Sequence, residues 1–133
     1  MCRQEEINQA FRGAVYNGHV EVLRLLTHVF GLTGAEGRTL NNAAFHMAAV
    51  KGHLNVLQWM TEEFKLTSEY VREDDNYVFR WAAENGHLHV LQWLKDEFKL
   101  TEVDARADDN AAFRSAAENG HLHVVQWLNE ELR

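Results

Sequence analysis

The sequence predicts an all-α solenoid of helix–turn–helix repeats, and three observations carry that prediction. Gly-His recurs at Gly18-His19, Gly52-His53, Gly86-His87 and Gly120-His121, a constant period of 34 residues. The apolar residues on either side of each pair fall at helical spacing. Proline is absent, where an average usage of about 5% would supply several.

The repetition extends well beyond the turn. Asn8, Asn42, Asn76 and Asn110 stand in register, and Phe11, Phe45, Phe79 and Phe113 follow them. Val22, Val56, Val90 and Val124 align, as do Leu25, Trp59, Trp93 and Trp127. Leu32-Thr33, Leu66-Thr67 and Leu100-Thr101 mark the same point after each second helix. The chain therefore reads as one repeat domain, 1–133, with three full copies at about 8–41, 42–75 and 76–109 and a half-copy at 110–133.

Residues 76–109 show how a copy is built. Asn76 suits an N-cap, and Tyr77 to Asn85 forms a short helix with Phe79, Ala82 and Ala83 on its apolar face. Gly86 supplies the left-handed residue that ends it. From Leu88 to Phe98 a second helix carries Leu88, Val90, Leu91, Trp93, Leu94 and Phe98 on a wide apolar arc. Two helices this short cannot bury their own faces, so the next copy has to complete the core. Thr67-Ser68-Glu69-Tyr70 and Thr101-Glu102-Val103-Asp104 look like further helix starts, a threonine cap followed by acidic residues at the positive end of the dipole. The Gly31–Gly37 connector, with three glycines, should be looser.

Composition bounds the function. The 133-residue chain has 13 Lys+Arg against 20 Asp+Glu, a formal charge of −7. Neutralising phosphates requires a basic face, so no nucleic-acid partner is expected, and no membrane partner on the same grounds. No apolar run reaches the roughly 20 residues of a span. Cys2 is the sole cysteine, which excludes an internal disulfide and suits a reducing compartment. The expected location is cytoplasmic or nucleocytoplasmic.

The segments Ala48-Ala49-Val50-Lys51-Gly52-His53-Leu54, Ala82-Ala83-Glu84-Asn85-Gly86-His87-Leu88 and Ala116-Ala117-Glu118-Asn119-Gly120-His121-Leu122 resemble the ankyrin repeat. In that family two alanines close the first helix, Gly-His turns the chain and a Val/Leu-rich helix follows. With its tryptophan-bearing second helix and long connector, the chain is similar to the divergent arrays of giant DNA viruses, amoebae and oomycetes; a viral origin would imply the host cytoplasm. It also departs from the family. The usual Thr-Pro-Leu-His is replaced by Ala43-Ala44-Phe45-His46, Tyr77-Val78-Phe79-Arg80 and Ala111-Ala112-Phe113-Arg114, and the hairpin glycine by Asn41, Asp75 or Asp109. The period is one residue longer than the common 33. A short helical or irregular connector is expected in place of the projecting β-hairpin.

Catalytic and metal readings find little support. His87 and His89, two apart on a helix, diverge by about 200° and cannot share an ion. His19, His53, His87 and His121 are read as turn residues bonding neighbouring backbone, and no cofactor or metal is implied. The acidic pairs Glu62-Glu63, Asp96-Glu97 and Glu130-Glu131 occupy equivalent places in each copy, as a solvated face does and a unique active site does not. Trp59, Trp93 and Trp127 share the place of Leu25 and are read as packing residues. Trp81 aligns with Gly13, Met47 and Ser115, so partial burial competes there with a role as a binding anchor.

What the resemblance implies is non-catalytic protein–protein recognition through a concave face. Its candidate residues lie near the first-helix end: Tyr16, Val50, Glu84 and Glu118, then Asn17, Lys51, Asn85 and Asn119. Arg12, His46, Arg80 and Arg114 stand where the family has histidine, and Tyr77 and Trp81 add aromatic area. A structural or self-associating array, as a fragment or an engineered chain, is the alternative, with a metal-dependent histidine site behind it. Self-association is expected at the C-terminal edge, where Val124, Trp127, Leu128 and Leu132 follow an internal pattern. Glu5, Glu6, Asn8 and Gln9 make the N-terminal edge the more polar one.

Overall fold

The computed structural model describes residues 3–31 and 38–131. Among them every regular element is a helix: α1 (Gln4–Tyr16), α2 (Val20–Phe30), α3 (Arg38–Lys51), α4 (Leu54–Glu63), α5 (Ser68–Val71), α6 (Glu73–Glu84), α7 (Leu88–Phe98), α8 (Glu102–Ala105), α9 (Ala107–Glu118) and α10 (Leu122–Glu131). The absence of strand among these residues agrees with the missing Thr-Pro and hairpin glycine. Helices α5 and α8 are the expected connector helices. Thr67 Oγ1 accepts from the Tyr70 amide at 3.2 Å, and the Asp104 carboxylate accepts from the Thr101 amide at 2.9 Å. The glycine-rich connector after Gly31, Cys2 and Leu132 lie outside the described residues.

The chain forms two compact units, Met1–Ala48 with His53–Lys65, and Ala49–Gly52 with Leu66–Arg133. In the first, Phe11, Val15, Leu23, Phe45, Val56, Leu57 and Met60 are fully buried. In the second, Val71, Phe79, Ala82, Ala83, Val90, Leu91 and Leu94 play the same part. Phe11, Phe45 and Phe79, Leu23, Leu57 and Leu91, and Val56 and Val90 among them recur in register. Each large apolar side chain so buried contributes about 1.5–3 kcal/mol.

The first turns of α6 and α9 depart from the expected form and are kinked. Asp74, Asp75 and Asn76 all adopt left-handed backbone, φ 52°, 56° and 58°, and Asp108, Asp109 and Asn110 repeat this at 57°, 54° and 60°. Asn76 is therefore not an N-cap, which needs extended backbone. It is buried instead, and its side-chain amide donates to Asp104 Oδ1 at 3.1 Å. Asp and Asn tolerate left-handed backbone better than other side chains, which explains the composition of these turns.

The packing position shared by Leu25 and three tryptophans is not uniform. Trp59 is buried and Trp93 and Trp127 are half-buried, but Leu25 is 62% exposed. The two edges also differ from expectation. Val124 and Leu128 are buried, and among the described residues Phe113 and Leu122 are large apolar side chains exposed near the C-terminal edge. On α2, Val22, Leu25 and Val29 are exposed, so the N-terminal edge is less polar than α1 suggested. In the second unit, α10 faces the copy before it, with the Trp127 ring 6.4 Å from that of Phe79.

Candidate functional site

The Gly-His turns hold adjacent copies together. Imidazole Nε2 of His53 lies 2.8 Å from the Tyr16 carbonyl, that of His87 2.7 Å from Val50, and that of His121 2.8 Å from Glu84. Each ring covers the preceding copy's glycine. A Cβ built on Gly52 or Gly86 would meet Nδ1 of His87 or His121 at 2.5 Å, and both glycines are left-handed, at φ +75° and +76°. Next to this bond, Asn55 Nδ2 and His89 Nε2 donate to the Gly18 and Gly52 carbonyls at 3.2 and 2.9 Å. His53, His87 and His121 thus bond backbone, as their turn positions imply, whereas His19 is exposed. Among the described residues no three of His, Cys, Asp and Glu gather where an ion could sit, and no helix is long and apolar enough to cross a membrane.

These contacts fix where the candidate recognition residues stand. In the first unit, Arg12, Tyr16 and Asn17 are exposed, while His46 is half-buried and its burial lowers the imidazole pKa. Asn17 donates from its side chain to the Gly13 carbonyl at 2.9 Å. Asn85 and Asn119 do the same to Trp81 and Ser115, both at 2.8 Å. These asparagines therefore close their helices as well as facing solvent, and Lys51 takes their place in its copy.

Within the second unit, α6 and α9 bring most of the remaining candidates together. Helix α6 is fixed through buried Phe79, Ala82 and Ala83. This leaves Trp81 39% exposed, with Glu84 and Asn85 exposed one turn on. Tyr77 is half-buried; burial first, then the charges of Asp74 and Glu73, push its hydroxyl above the usual range. Glu118 and Asn119 are exposed at the end of α9, and Lys51 is exposed and Val50 half-buried at the end of α3.

The two arginines have a second task. Arg80 donates from Nε to the Asp75 carbonyl and from Nη2 to that of Asp74, both at 3.0 Å. Arg114 repeats this on Asp109 at 2.9 Å and Asp108 at 3.2 Å. Each guanidinium thus satisfies two carbonyls of a left-handed turn, and Arg80 Nη1 also reaches Asp108 at 3.3 Å.

A polar cluster beside this face was not singled out from the sequence. Asp104, buried on α8, accepts from Arg72 at 2.8 and 3.2 Å and from Asn76 at 3.1 Å. Desolvation pushes its carboxyl upward, but the bonds from Arg72, the Thr101 amide and Asn76, with the Arg72 charge, hold it below the ordinary value. The available signal was the Thr101-x-x-Asp104 capping pattern together with a difference between copies, since Tyr70 occupies the place of Asp104.

A family model described as Ankyrin repeats (3 copies) matches residues 45–132. Among solved structures, an ankyrin repeat family protein from Legionella pneumophila is similar, with a TM-score of 0.75 and 32% identity. The match covers 92% of this chain and 36% of that one, so the chain spans about a third of that protein's length. The comparison with curated proteins found no match.

Proposed function

Since the chain belongs to the ankyrin-repeat family, whose members are generally protein–protein interaction modules and typically non-enzymatic, we propose that it is a non-catalytic recognition module for a protein partner. The proposed contact surface is the first-helix and connector face, the concave one of the expected solenoid. Trp81 is the observation that carries this reading. It is 39% exposed on a helix whose opposite side is fully buried, with exposed Glu84 and Asn85 at the end of that helix and exposed Glu118 and Asn119 at the end of α9. An exposed aromatic on a rigid element, ringed by polar groups, fits an interface anchor. A cytoplasmic or nucleocytoplasmic location forms part of the proposal, supported by a single cysteine in the sequence. The test is affinity capture from the source cell or its host with parent and Trp81→Ala chains in parallel. A partner retained by the parent and lost by a folded Trp81→Ala chain supports the reading; equal retention rejects this face.

A second reading is self-association through the C-terminal edge. Phe113 favours it, being 38% exposed where Phe11, Phe45 and Phe79 are fully buried.

A further inference from the structure

We propose that the partner docks through a basic segment, which lays an arginine on Trp81 and meets the carboxylates of Glu84 and Glu118. This rests on the recognition reading above and adds the chemistry of the occupant.

The face belongs to α6, which has one repeat before it in the chain and another after it. Tyr77, Arg80, Trp81 and Glu84 stand at i, i+3, i+4 and i+7 and so share one side of that helix. Val78, Phe79, Ala82 and Ala83 on the other side are buried. On α9, packed against α6, Ala111 and Ser115 hold the places of Tyr77 and Trp81. The aromatic step on α6 is therefore not continued on its neighbour. Glu118 is in register with Glu84, which stays exposed although a repeat follows it.

Charge selects the occupant. The second unit holds 14 of the 20 acidic and 8 of the 13 basic residues, hence six of the seven net negative charges. On α6 and α9, Asp74, Asp75, Glu84, Asp108, Asp109 and Glu118 are all exposed. Against them stand Arg80 and Arg114, and both are engaged at the left-handed turns. Arg80 donates to the carbonyls of Asp74 and Asp75 and pairs with Asp108; Arg114 donates to those of Asp108 and Asp109. Neither forms an ion pair with Glu84 or Glu118, and among the described residues no other cation does.

An arginine meets all of these conditions. Its planar guanidinium stacks on an indole, its alkyl stem covers apolar surface, and its remaining N–H groups reach carboxylates. A neutral segment would desolvate the carboxylates without compensation, and an acidic one would add like-charge repulsion.

Fluorescence anisotropy with labelled peptides tests this. The probes are about ten residues long, enough when extended to outrun the roughly 18 Å of α6; one alternates Arg with Ser and Gly, the other has Glu for each Arg. At about 50 mM salt the arginine peptide should bind the full chain and the glutamate peptide should not. Trp81→Ala should weaken binding several-fold, and Glu84→Lys with Glu118→Lys by about tenfold or more. Both lysines fall at helix C-termini, where a cation suits the dipole, and dichroism checks the fold. Glu97→Lys with Glu130→Lys makes the same charge change on the second helices and should weaken binding by less than about threefold. Equal weakening by the two pairs would mean unspecific attraction to an acidic protein and overturns the proposal. So does a parent that ignores the arginine peptide, or one that binds the glutamate peptide as well. A captured cellular partner separates this from the recognition reading. If its capture needs Trp81 but survives Glu84→Lys with Glu118→Lys, the face is used and its occupant is not basic. Equal capture by Trp81→Ala rejects both. Should Trp81→Ala fail to fold, the two charge pairs decide.

Discussion

His87 on one repeat and the carbonyl of Val50 on the one before are joined at 2.7 Å, 37 residues apart in sequence. A carbonyl only accepts, so Nε2 carries the proton and the tautomer is fixed. The same bond recurs at His53 and His121, and it ties the order of the repeats to a single atom pair at each turn.

The glycine under each ring should therefore be sensitive according to what lies above it. Gly52→Ala forces an alanine into left-handed backbone at φ +75° and drives Cβ to 2.5 Å from His87. Gly120→Ala meets the same backbone cost, about 1–2 kcal/mol, with nothing within 4 Å. Urea unfolding should rank the parent most stable, then Gly120→Ala, then Gly52→Ala. Equal losses for the two variants would mean that the ring contact carries no weight.

Asp104 should give the chain an acid-sensitive contribution. The folded carboxyl titrates below its ordinary value of 3.8, so the unfolded chain takes up this proton first as pH falls. The stabilisation is complete well above the unfolded value and is lost as pH drops through the depressed folded one. Asp104→Asn should cost about 1–3 kcal/mol at neutral pH. The gap to the parent should stay constant down to about pH 5 and close below about pH 4. A gap that widens with acid would contradict the assignment.

The repeat, its helix pairs and its turn histidines were legible because they are periodic: four in-register copies average out local ambiguity. The helical connectors were legible from Thr67 and Thr101, since caps are local signals. What escaped was non-local or directional. The left-handed backbone at Asp74-Asp75-Asn76 hid behind an N-cap pattern that uses the same residue types. Asp104 draws in Arg72 and Asn76 from about 30 residues away, a pairing that no short window contains. The open edges were misjudged because sequence shows an apolar arc but not which neighbour it faces. Leu25 and Phe113 are exposed although both stand in register with buried or half-buried residues.

The left-handed turns make a separate prediction about Arg80. Arg80→Gln removes two donors from the Asp74 and Asp75 carbonyls and should lower stability by about 1–3 kcal/mol. Asp75 is exposed at φ +56°, a conformation glycine adopts without a Cβ clash. Asp75→Gly alone should be neutral or stabilising by up to about 1 kcal/mol, and it should recover part of the Arg80→Gln loss. Thermal unfolding of the two single variants and the double variant measures this coupling directly. A double variant no better than Arg80→Gln would show that the arginine acts through something other than this turn.

Trp81 separates recognition from stability. Its helix is held by Phe79, Ala82 and Ala83, all fully buried, so truncating the partly exposed indole should leave the helical dichroism intact. Its buried portion should still cost the fold about 1 kcal/mol. If the indole anchors a partner, Trp81→Ala should weaken binding by about 1–3 kcal/mol, roughly 5- to 150-fold. Tyr77→Ala should do less, because its half-buried ring offers a smaller surface to a partner. Glu84→Ala, on the polar rim of the same face, should change affinity little while altering its salt dependence. Calorimetry with a captured partner at two ionic strengths distinguishes these effects. If Trp81→Ala unfolds the chain while the folded fraction keeps the parent's affinity, the indole is a packing residue and the anchor lies elsewhere.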